Sequence, residues 1–232
     1  MAWHREGQQA RLRLTGLTAA LCPERPDEGL RDLHILNQPW AGAQLLGVMV
    51  PSAPQPLTPV EWHLRGHDLI ALYDTSLDPA LRVELLWRVA PAAEGDRFSI
   101  AVDLIVSLWT QRLESRPELV VESLLPGQIS SYGPPARGPD ACGFHWSRPT
   151  NVPWSYLEMA HLADLRHDES TSEPDRPEFT RLRHFLFPSQ PIEKGVTLRA
   201  RVRGVFLPSD ADAETVAACY DAFVRAEPPL GT

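Results

Sequence analysis

The sequence contains almost no lysine and has no excess of basic charge. Lys194 is its only lysine, so arginine supplies the other basic residues, and 30 acidic residues against 22 basic ones leave a net charge of −8. The sequence pI is about 5.5. An acidic chain of this kind is not attracted to nucleic acid or to an anionic membrane through its net charge. We therefore expect neither partner.

Cysteine is also scarce, and its positions show no paired spacing. Cys22, Cys142 and Cys219 are scattered, and no Cys-x-x-Cys motif is present. A disulfide framework or a structural zinc site is therefore not expected, and a reducing compartment is the default. The histidines do not have the spacing of metal ligands either. We therefore expect no metal site and no cofactor.

Long apolar runs are missing as well. No run reaches the roughly 20 residues that a membrane-spanning helix needs. The first nine residues are polar and lack the apolar segment of a signal peptide. Together with the cysteine usage, this predicts a cytoplasmic protein.

The clearest pattern that is present is an alternation near the C-terminus. Apolar and polar residues alternate over 196–203, which is typical of a half-buried strand. Its polar face carries Arg199, Arg201 and Arg203, about 7 Å apart because a strand rises about 3.4 Å per residue. Three interpretations remain open: a ladder of ion pairs with Glu84, Asp103, Glu118 or Glu122, a cleft where Arg199 and Arg201 bind a carboxylate or phosphate on a sugar, or a solvated face.

Many short alternating segments between turn signals predict a mainly β fold. We expect one domain over 1–232, a large antiparallel β-sandwich with one C-terminal helix over about 210–226, capped by Ser209 or Asp210. A polar surface loop is expected over 166–178, and strand 182–187 is expected to pair with 196–207 through the turn 188–195. The remaining predicted strands are 11–15, 33–36, 44–50, 60–65, 68–73, 81–89, 98–110, 118–125, 144–146 and 154–162.

One predicted strand carries residues suited to sugar chemistry. Trp154, Tyr156 and Glu158 share a face, and aromatic rings beside a carboxylate are what a sugar site needs. The alternative is that both rings belong to the core while Glu158 pairs with an arginine. The predicted substrate-binding residues are Trp154, Tyr156, His161, Arg65, Arg199 and Arg201.

The segment Leu157-Glu-x-x-His-x-x-Asp164 resembles the stretch that carries the base of aldose 1-epimerases, the galactose mutarotases. The likeness covers about the last third of the chain and implies a supersandwich fold. It also implies that Glu158 takes the anomeric hydroxyl proton while a histidine, His67 or His145, donates to the ring oxygen.

Three hypotheses follow for the function. The first is a carbohydrate-binding protein of mutarotase-like fold that holds a sugar or sugar acid in a cleft. The second is an active aldose 1-epimerase that uses Glu158. The third is a scaffold whose strand edges and terminal helix form a homodimer.

Overall fold

The structure is a computed structural model that describes residues 2–51, 57–74, 81–90, 100–110, 113, 114, 116, 118–127, 129–131, 143–187 and 191–227. In chain order the strands are β1 (Trp3–Glu6), β2 (Gln9–Leu14), β3 (Leu17–Leu21), β4 (Leu30–Ile35), β5 (Gln38–Pro39), β6 (Gln44–Met49), β7 (Pro59–Arg65), β8 (Asp68–Asp74), β9 (Leu81–Ala90), β10 (Ile100–Thr110), β11 (Leu119–Pro126), β12 (Ile129–Ser131), β13 (Phe144–Ser147), β14 (Trp154–Ala160), β15 (Leu165–Glu173), β16 (Arg176–Leu186) and β17 (Thr197–Pro208). A 3-10 turn covers Pro26–Glu28, and helix α1 covers Ala213–Arg225.

These strands form two antiparallel sheets that pack as a β-sandwich. The first sheet has the order β1-β2-β3-β4-β6-β11-β16-β15, with β5 paired to β4. The second has the order β12-β13-β14-β17-β10-β9-β8-β7. The mainly β fold with one C-terminal helix is therefore confirmed.

The core between the sheets follows from the alternation of each strand. In β10 the even-numbered residues from Ile100 to Leu108 belong to one apolar cluster that draws residues from both sheets. The odd-numbered residues point to the outer face, because successive side chains of a strand alternate. Burial of this apolar surface is the main favourable term that holds the sandwich together.

Helix α1 covers part of the outer face of the second sheet. Its buried residues Val216, Tyr220 and Phe223 pack with β13, β14 and β17 in a second apolar cluster. The helix begins after Asp212, whose carboxylate accepts a hydrogen bond from the Thr215 backbone amide at 2.8 Å. The prediction that Ser209 or Asp210 caps the helix was wrong, because these two residues lie in a turn before the helix begins.

Two predictions about the C-terminal third were wrong. The segment 166–178 is not a loop, since most of it lies in β15 and in the start of β16. Residues 182–187 do not pair with β17; β16 pairs with β11 and β15 in the first sheet, whereas β17 pairs with β10 and β14 in the second. Hairpin pairing was inferred from proximity in sequence, but the chain crosses between the sheets here.

Other differences are smaller. Strands β1, β3, β5 and β12 were not predicted, and the predicted strand 98–110 is described from Ile100. Residues 188–190 of the expected turn, and Cys142, lie outside the described residues. The structure contains, in its described parts, no helix that is both long and apolar enough to cross a membrane.

Candidate metal centre between the two sheets

Six polar side chains meet between the sheets and form what we call the inter-sheet cluster: Ser123, His145, Tyr156, Glu158, Asp168 and His184. Each sheet contributes one directly opposed cross-strand pair. His145 lies opposite Glu158 on β13 and β14, and Asp168 lies opposite His184 on β15 and β16. Opposed residues of an antiparallel pair point to the same side, so the two pairs face each other across the sandwich.

Glu158 is the best-connected member of the cluster. Its carboxylate accepts hydrogen bonds from the Ser123 hydroxyl at 2.7 Å, the Tyr156 hydroxyl at 2.5 Å and Nε2 of His184 at 3.0 Å. The side chains of Glu158 and His184 are both 0% exposed. A buried charge is costly unless it is hydrogen-bonded, and three donors meet this need at Glu158.

Burial alone would raise the pKa of the Glu158 carboxyl. The hydrogen bond from His184, followed by the hydrogen bonds from Tyr156 and Ser123, outweighs burial and holds that pKa below its ordinary value. Burial, followed by the charge and hydrogen bond of Glu158, raises the pKa of Tyr156. Glu158 is therefore ionised, and Tyr156 stays a neutral donor.

Two local features position the Glu158 donors. Ser123 sits at an irregularity in the β6–β11 register, and its hydroxyl oxygen accepts the Leu46 backbone amide at 2.9 Å, which frees its proton for Glu158. Gly204 lies opposite Glu158 on β17, and a Cβ there would stand 2.4 Å from the Tyr156 hydroxyl oxygen. Glycine at 204 is thus what lets the phenol reach the carboxylate.

The other half of the cluster has the composition of a metal site. His145, Asp168 and His184 each offer one ligand atom, and these atoms lie within 4.8 Å of one another. Nε2 of His145 contacts a carboxylate oxygen of Asp168, and both side chains are almost fully buried. Nδ1 of His184 is buried and has no hydrogen-bond partner within the described structure. Two imidazoles and a carboxylate form a ligand set that zinc favours.

The predicted catalytic residues are only partly brought together. His145 lies beside Glu158, as the epimerase hypothesis requires of one histidine. His67 is exposed in the turn between β7 and β8, and Arg65 is exposed at the end of β7. Strand β8 is four positions away from β14 in the second sheet, or about 19 Å at about 4.8 Å per position.

The predicted aromatic residues belong to the core. Trp154 and Tyr156 are 1% and 0% exposed, and both pack edge-on against Trp40, with ring centroids 4.8 and 5.5 Å away. His161 lies in the turn after β14, where its Nδ1 accepts the Ala163 backbone amide at 3.1 Å. These three residues line no described hollow.

The arginines of β17 divide into structural residues and one open residue. Arg203 forms a two-pronged ion pair with Asp103, with both hydrogen bonds at 2.7 Å, as one interpretation of the arginine row predicts. Arg201 is 5% exposed and donates to the Phe223 carbonyl oxygen at 2.7 Å, near the end of α1. Only Arg199, among these three, lines an open hollow.

That hollow lies on the part of the outer face of the second sheet that bears Arg199. It has a volume of about 370 Å³, and we call it the outer hollow. The strands that form it are β8, β9, β10 and β17. Its lining residues are Ile70, Glu84, Leu86, Ser107, Trp109, Thr197 and Arg199.

Sequence reasoning missed Asp168, His184, Ser123 and Trp109 as site residues. Asp168 was placed in a solvated loop because β15 shows no apolar alternation. His184 did carry a signal, since Thr180, Leu182, His184 and Leu186 alternate in phase and all four are buried. A histidine in phase with core residues indicates an inward-pointing imidazole.

Two solved structures of one enzyme, each with a TM-score above 0.5, support the fold. The heparan sulfate lyase HepC from Pedobacter heparinus matches in a mutant form with a TM-score of 0.53 and 10% identity, over 91% of this chain and 37% of that one. A second HepC structure matches with a TM-score of 0.51 and with the same identity and coverage. The 4-alpha-glucanotransferase from Thermococcus litoralis has a TM-score of 0.39 at 10% identity, over 86% of this chain and 38% of that one.

This chain thus spans little more than a third of the length of those enzymes. No protein-family model matches the sequence, and no curated protein matches it either. At such low identity the likeness defines a class of architecture, a β-sandwich also found within HepC, and does not by itself transfer an activity.

Proposed function

We propose that the chain is a carbohydrate-binding β-sandwich that holds a divalent metal ion between its two sheets. The observation that carries the metal part is the unpartnered, buried Nδ1 of His184 beside His145 and Asp168. An unpaired buried nitrogen costs free energy, and coordination of a cation removes that cost.

The surroundings of His184 fit a ligand role. Its Nε2 donates to Glu158, which fixes the tautomer and leaves the lone pair on Nδ1. Metal-bound histidines almost always donate their second nitrogen to a carboxylate, a carbonyl oxygen or water. Glu158 is then a positioning residue for the metal ligand.

The ligand set favours zinc over calcium. Calcium takes six to eight oxygen ligands, whereas zinc takes four ligands drawn from histidine, cysteine and carboxylate. Two nitrogens and one carboxylate oxygen fill three zinc positions, and a water molecule supplies a fourth. The ion has a structural role in this proposal, because all three side chains lie between the sheets.

The metal proposal is tested with untagged protein treated with a chelator. Adding Zn²⁺ is expected to raise the melting temperature, because a ligand that binds only the native state stabilises it by about 2.7 kcal/mol at one hundred times its Kd. Ca²⁺ should have a much smaller effect. Metal content measured by mass spectrometry should approach one zinc per chain.

The matched variants are His184→Gln and, as a control, His63→Gln at an exposed position of β7. The first should lose both the bound zinc and the thermal shift, while the second should keep them. Equal zinc responses in the two variants would contradict the proposal.

The carbohydrate part rests on the outer hollow and on the fold. Arg199 is the predicted substrate residue that lines an open hollow, and Trp109 lies beside it. HepC, which shares the fold, is a heparan sulfate lyase by name. A thermal-shift screen against oligosaccharides tests the binding; no shift with any sugar, with a folded and metal-loaded protein, would contradict it.

The epimerase is the weaker candidate, because the carboxylate it needs is enclosed. Glu158 is 0% exposed and already accepts three hydrogen bonds, whereas a general base must come within about 3 Å of the proton it removes. Polarimetry on fresh α-glucose and α-galactose should show no acceleration over buffer. Acceleration that Glu158→Gln abolishes would restore the epimerase hypothesis.

A homodimeric scaffold remains the third hypothesis. Size-exclusion chromatography with light scattering is expected to show a monomer, since no property of the proposed sites requires a second copy. A stable dimer that fails to bind any sugar would favour the scaffold.

A further inference from the structure

The outer hollow is built from three cross-strand rows on one sheet face. The middle row is Glu84, Ser107 and Arg199, which are directly opposite one another on β9, β10 and β17. Neighbouring strands are about 4.8 Å apart, so Glu84 and Arg199 stand about 10 Å apart at their Cα atoms, on either side of Ser107.

The flanking rows supply apolar surface. Trp109 and Thr197 form the row on one side, and Ile70 and Leu86 form the row on the other. Leu86 is 5% exposed and forms part of the floor, whereas Trp109 is only half-buried. A half-exposed indole at the rim is suited to packing against the apolar face of a sugar ring.

The charged groups of the hollow keep hydrogen-bonding capacity. Nε of Arg199 donates to the Ser107 hydroxyl at 3.3 Å, which points the guanidinium along the row. Within the described part of the chain, the terminal nitrogens of Arg199 and the carboxylate of Glu84 have no hydrogen-bond or ion-pair partner. This contrasts with Arg201 and Arg203 on the same strand, which are both engaged.

We propose that the outer hollow binds one neutral pyranose unit of an oligosaccharide, an inference that rests on the proposed carbohydrate-binding function. The sugar face packs on Trp109, one hydroxyl donates to Glu84, and neighbouring hydroxyl oxygens accept from Arg199. The lining charges are one negative and one positive, which cancel. A uronate or sulfate group would be repelled by Glu84, so a neutral ring is favoured over an anionic one.

The volume agrees with a small ligand. About 370 Å³ lies near the lower end of the roughly 300–1,000 Å³ that small-molecule sites occupy. The hollow is open on the solvent side, so a longer oligosaccharide can extend beyond the bound unit.

Isothermal titration calorimetry on the full chain tests the inference. The neutral probes are maltotetraose, cellotetraose and β-1,4-galactotetraose, and the anionic probes are trigalacturonate and a heparin tetrasaccharide. At least one neutral probe should bind, and Trp109→Ala should weaken it by about tenfold or more, the loss of roughly 1.4 kcal/mol of ring contact. Trp62→Ala, at a half-buried tryptophan of β7, is the matched control and should bind as the parent does.

Glu84→Gln separates neutral from anionic recognition. It keeps the side-chain size and should weaken the neutral probe while allowing an anionic probe to bind more tightly, because the repelling charge is gone. The side chains of Glu84 and Trp109 do not belong to either apolar cluster, and a retained melting temperature confirms that the Glu84→Gln and Trp109→Ala variants are folded.

Three results would overturn the inference. Neutral binding that survives both Trp109→Ala and Arg199→Gln would place the sugar elsewhere and leave the proposed function standing. Binding of the anionic probes alone, lost in Arg199→Gln, would make the hollow an anion site. Failure of every probe would remove this inference together with the carbohydrate function, while the zinc experiment would be unaffected.

Discussion

The two faces of the second sheet treat charged side chains in opposite ways. On the inner face, Glu158 is enclosed and accepts three hydrogen bonds. On the outer face, Glu84 lies in an open hollow with no such partners among the described residues. A carboxylate whose hydrogen bonds are already made holds structure together, whereas one that is left open to water can exchange that water for a ligand.

The same contrast separates the arginines of β17. Arg203 is committed to Asp103 and Arg201 to the end of α1, because the helix and its apolar cluster cover that part of the sheet. Arg199 lies two residues before Arg201 and lines the open hollow. The docking of one helix therefore decides which members of a regular row are structural and which are available for binding.

Removing the inner carboxylate should give the largest change in stability. Glu158→Ala leaves Ser123, Tyr156 and His184 without their shared acceptor in a buried site. Each buried donor that loses its acceptor costs about 1–3 kcal/mol, and three donors lose theirs here. Urea unfolding monitored by circular dichroism measures the change.

Glu84→Ala is the control on the outer face, and it should change the free energy of unfolding by no more than about 0.5 kcal/mol. Comparable losses in the two variants would remove the distinction between the faces.

A smaller loss of folding stability is expected when the approach of Tyr156 to Glu158 is blocked. Gly204→Ala adds a Cβ 2.4 Å from the Tyr156 hydroxyl oxygen, so a fully buried ring must move. Overpacking of this kind typically costs about 1–3 kcal/mol.

The same unfolding assay measures this change. A loss below about 0.5 kcal/mol, as at an ordinary surface position, would show that Tyr156 does not need that space.

Removing only the Tyr156 hydroxyl should lower the free energy of unfolding by less than Gly204→Ala does. Tyr156→Phe keeps the ring in the core and removes one of the three donors to Glu158. A hydrogen bond to a charged group contributes about 1.5–3 kcal/mol, and the two remaining donors keep the effect at the lower end. Any sugar affinity of the outer hollow should not change under the proposal above, and calorimetry on the same variant checks this.

The smallest effect concerns the cap of α1 and depends on pH. The hydrogen bonds from Thr215 lower the pKa of Asp212 from its ordinary value of 3.8. A lowered folded-state pKa means that Asp212 contributes stability above pH 3.8, and that this contribution is lost as the pH falls through the lower folded value. Asp212→Asn keeps a capping side chain but cannot titrate.

The melting temperatures of the parent and of Asp212→Asn should therefore converge as the pH falls below about 3.8. A difference that stays constant with pH would show that the Asp212 charge has no part in the cap.

Alternation alone was enough to predict the class of fold. In β10 and β17 the in-phase apolar residues are the core residues, and the helix that follows has one apolar face. The alternation pattern missed β15, because that strand has no apolar face. The partner of β16 was also predicted wrongly, because strand pairing was assigned by closeness in sequence. The role of Glu158 in sugar chemistry, taken from a resemblance, stays a prediction that its burial does not favour.

The amino-acid sequence by itself determined the local state of most segments, because the period of a strand and the cap and apolar face of a helix depend on near neighbours. Only the tertiary structure decided that His145, Glu158, Asp168 and His184 meet, since they come from two sheets and their approach depends on how the sheets stack. It also decided that Arg199 stays open while Arg201 is buried, because that depends on where α1 docks. Contacts between distant segments are set by packing of the whole core, and no local pattern encodes them.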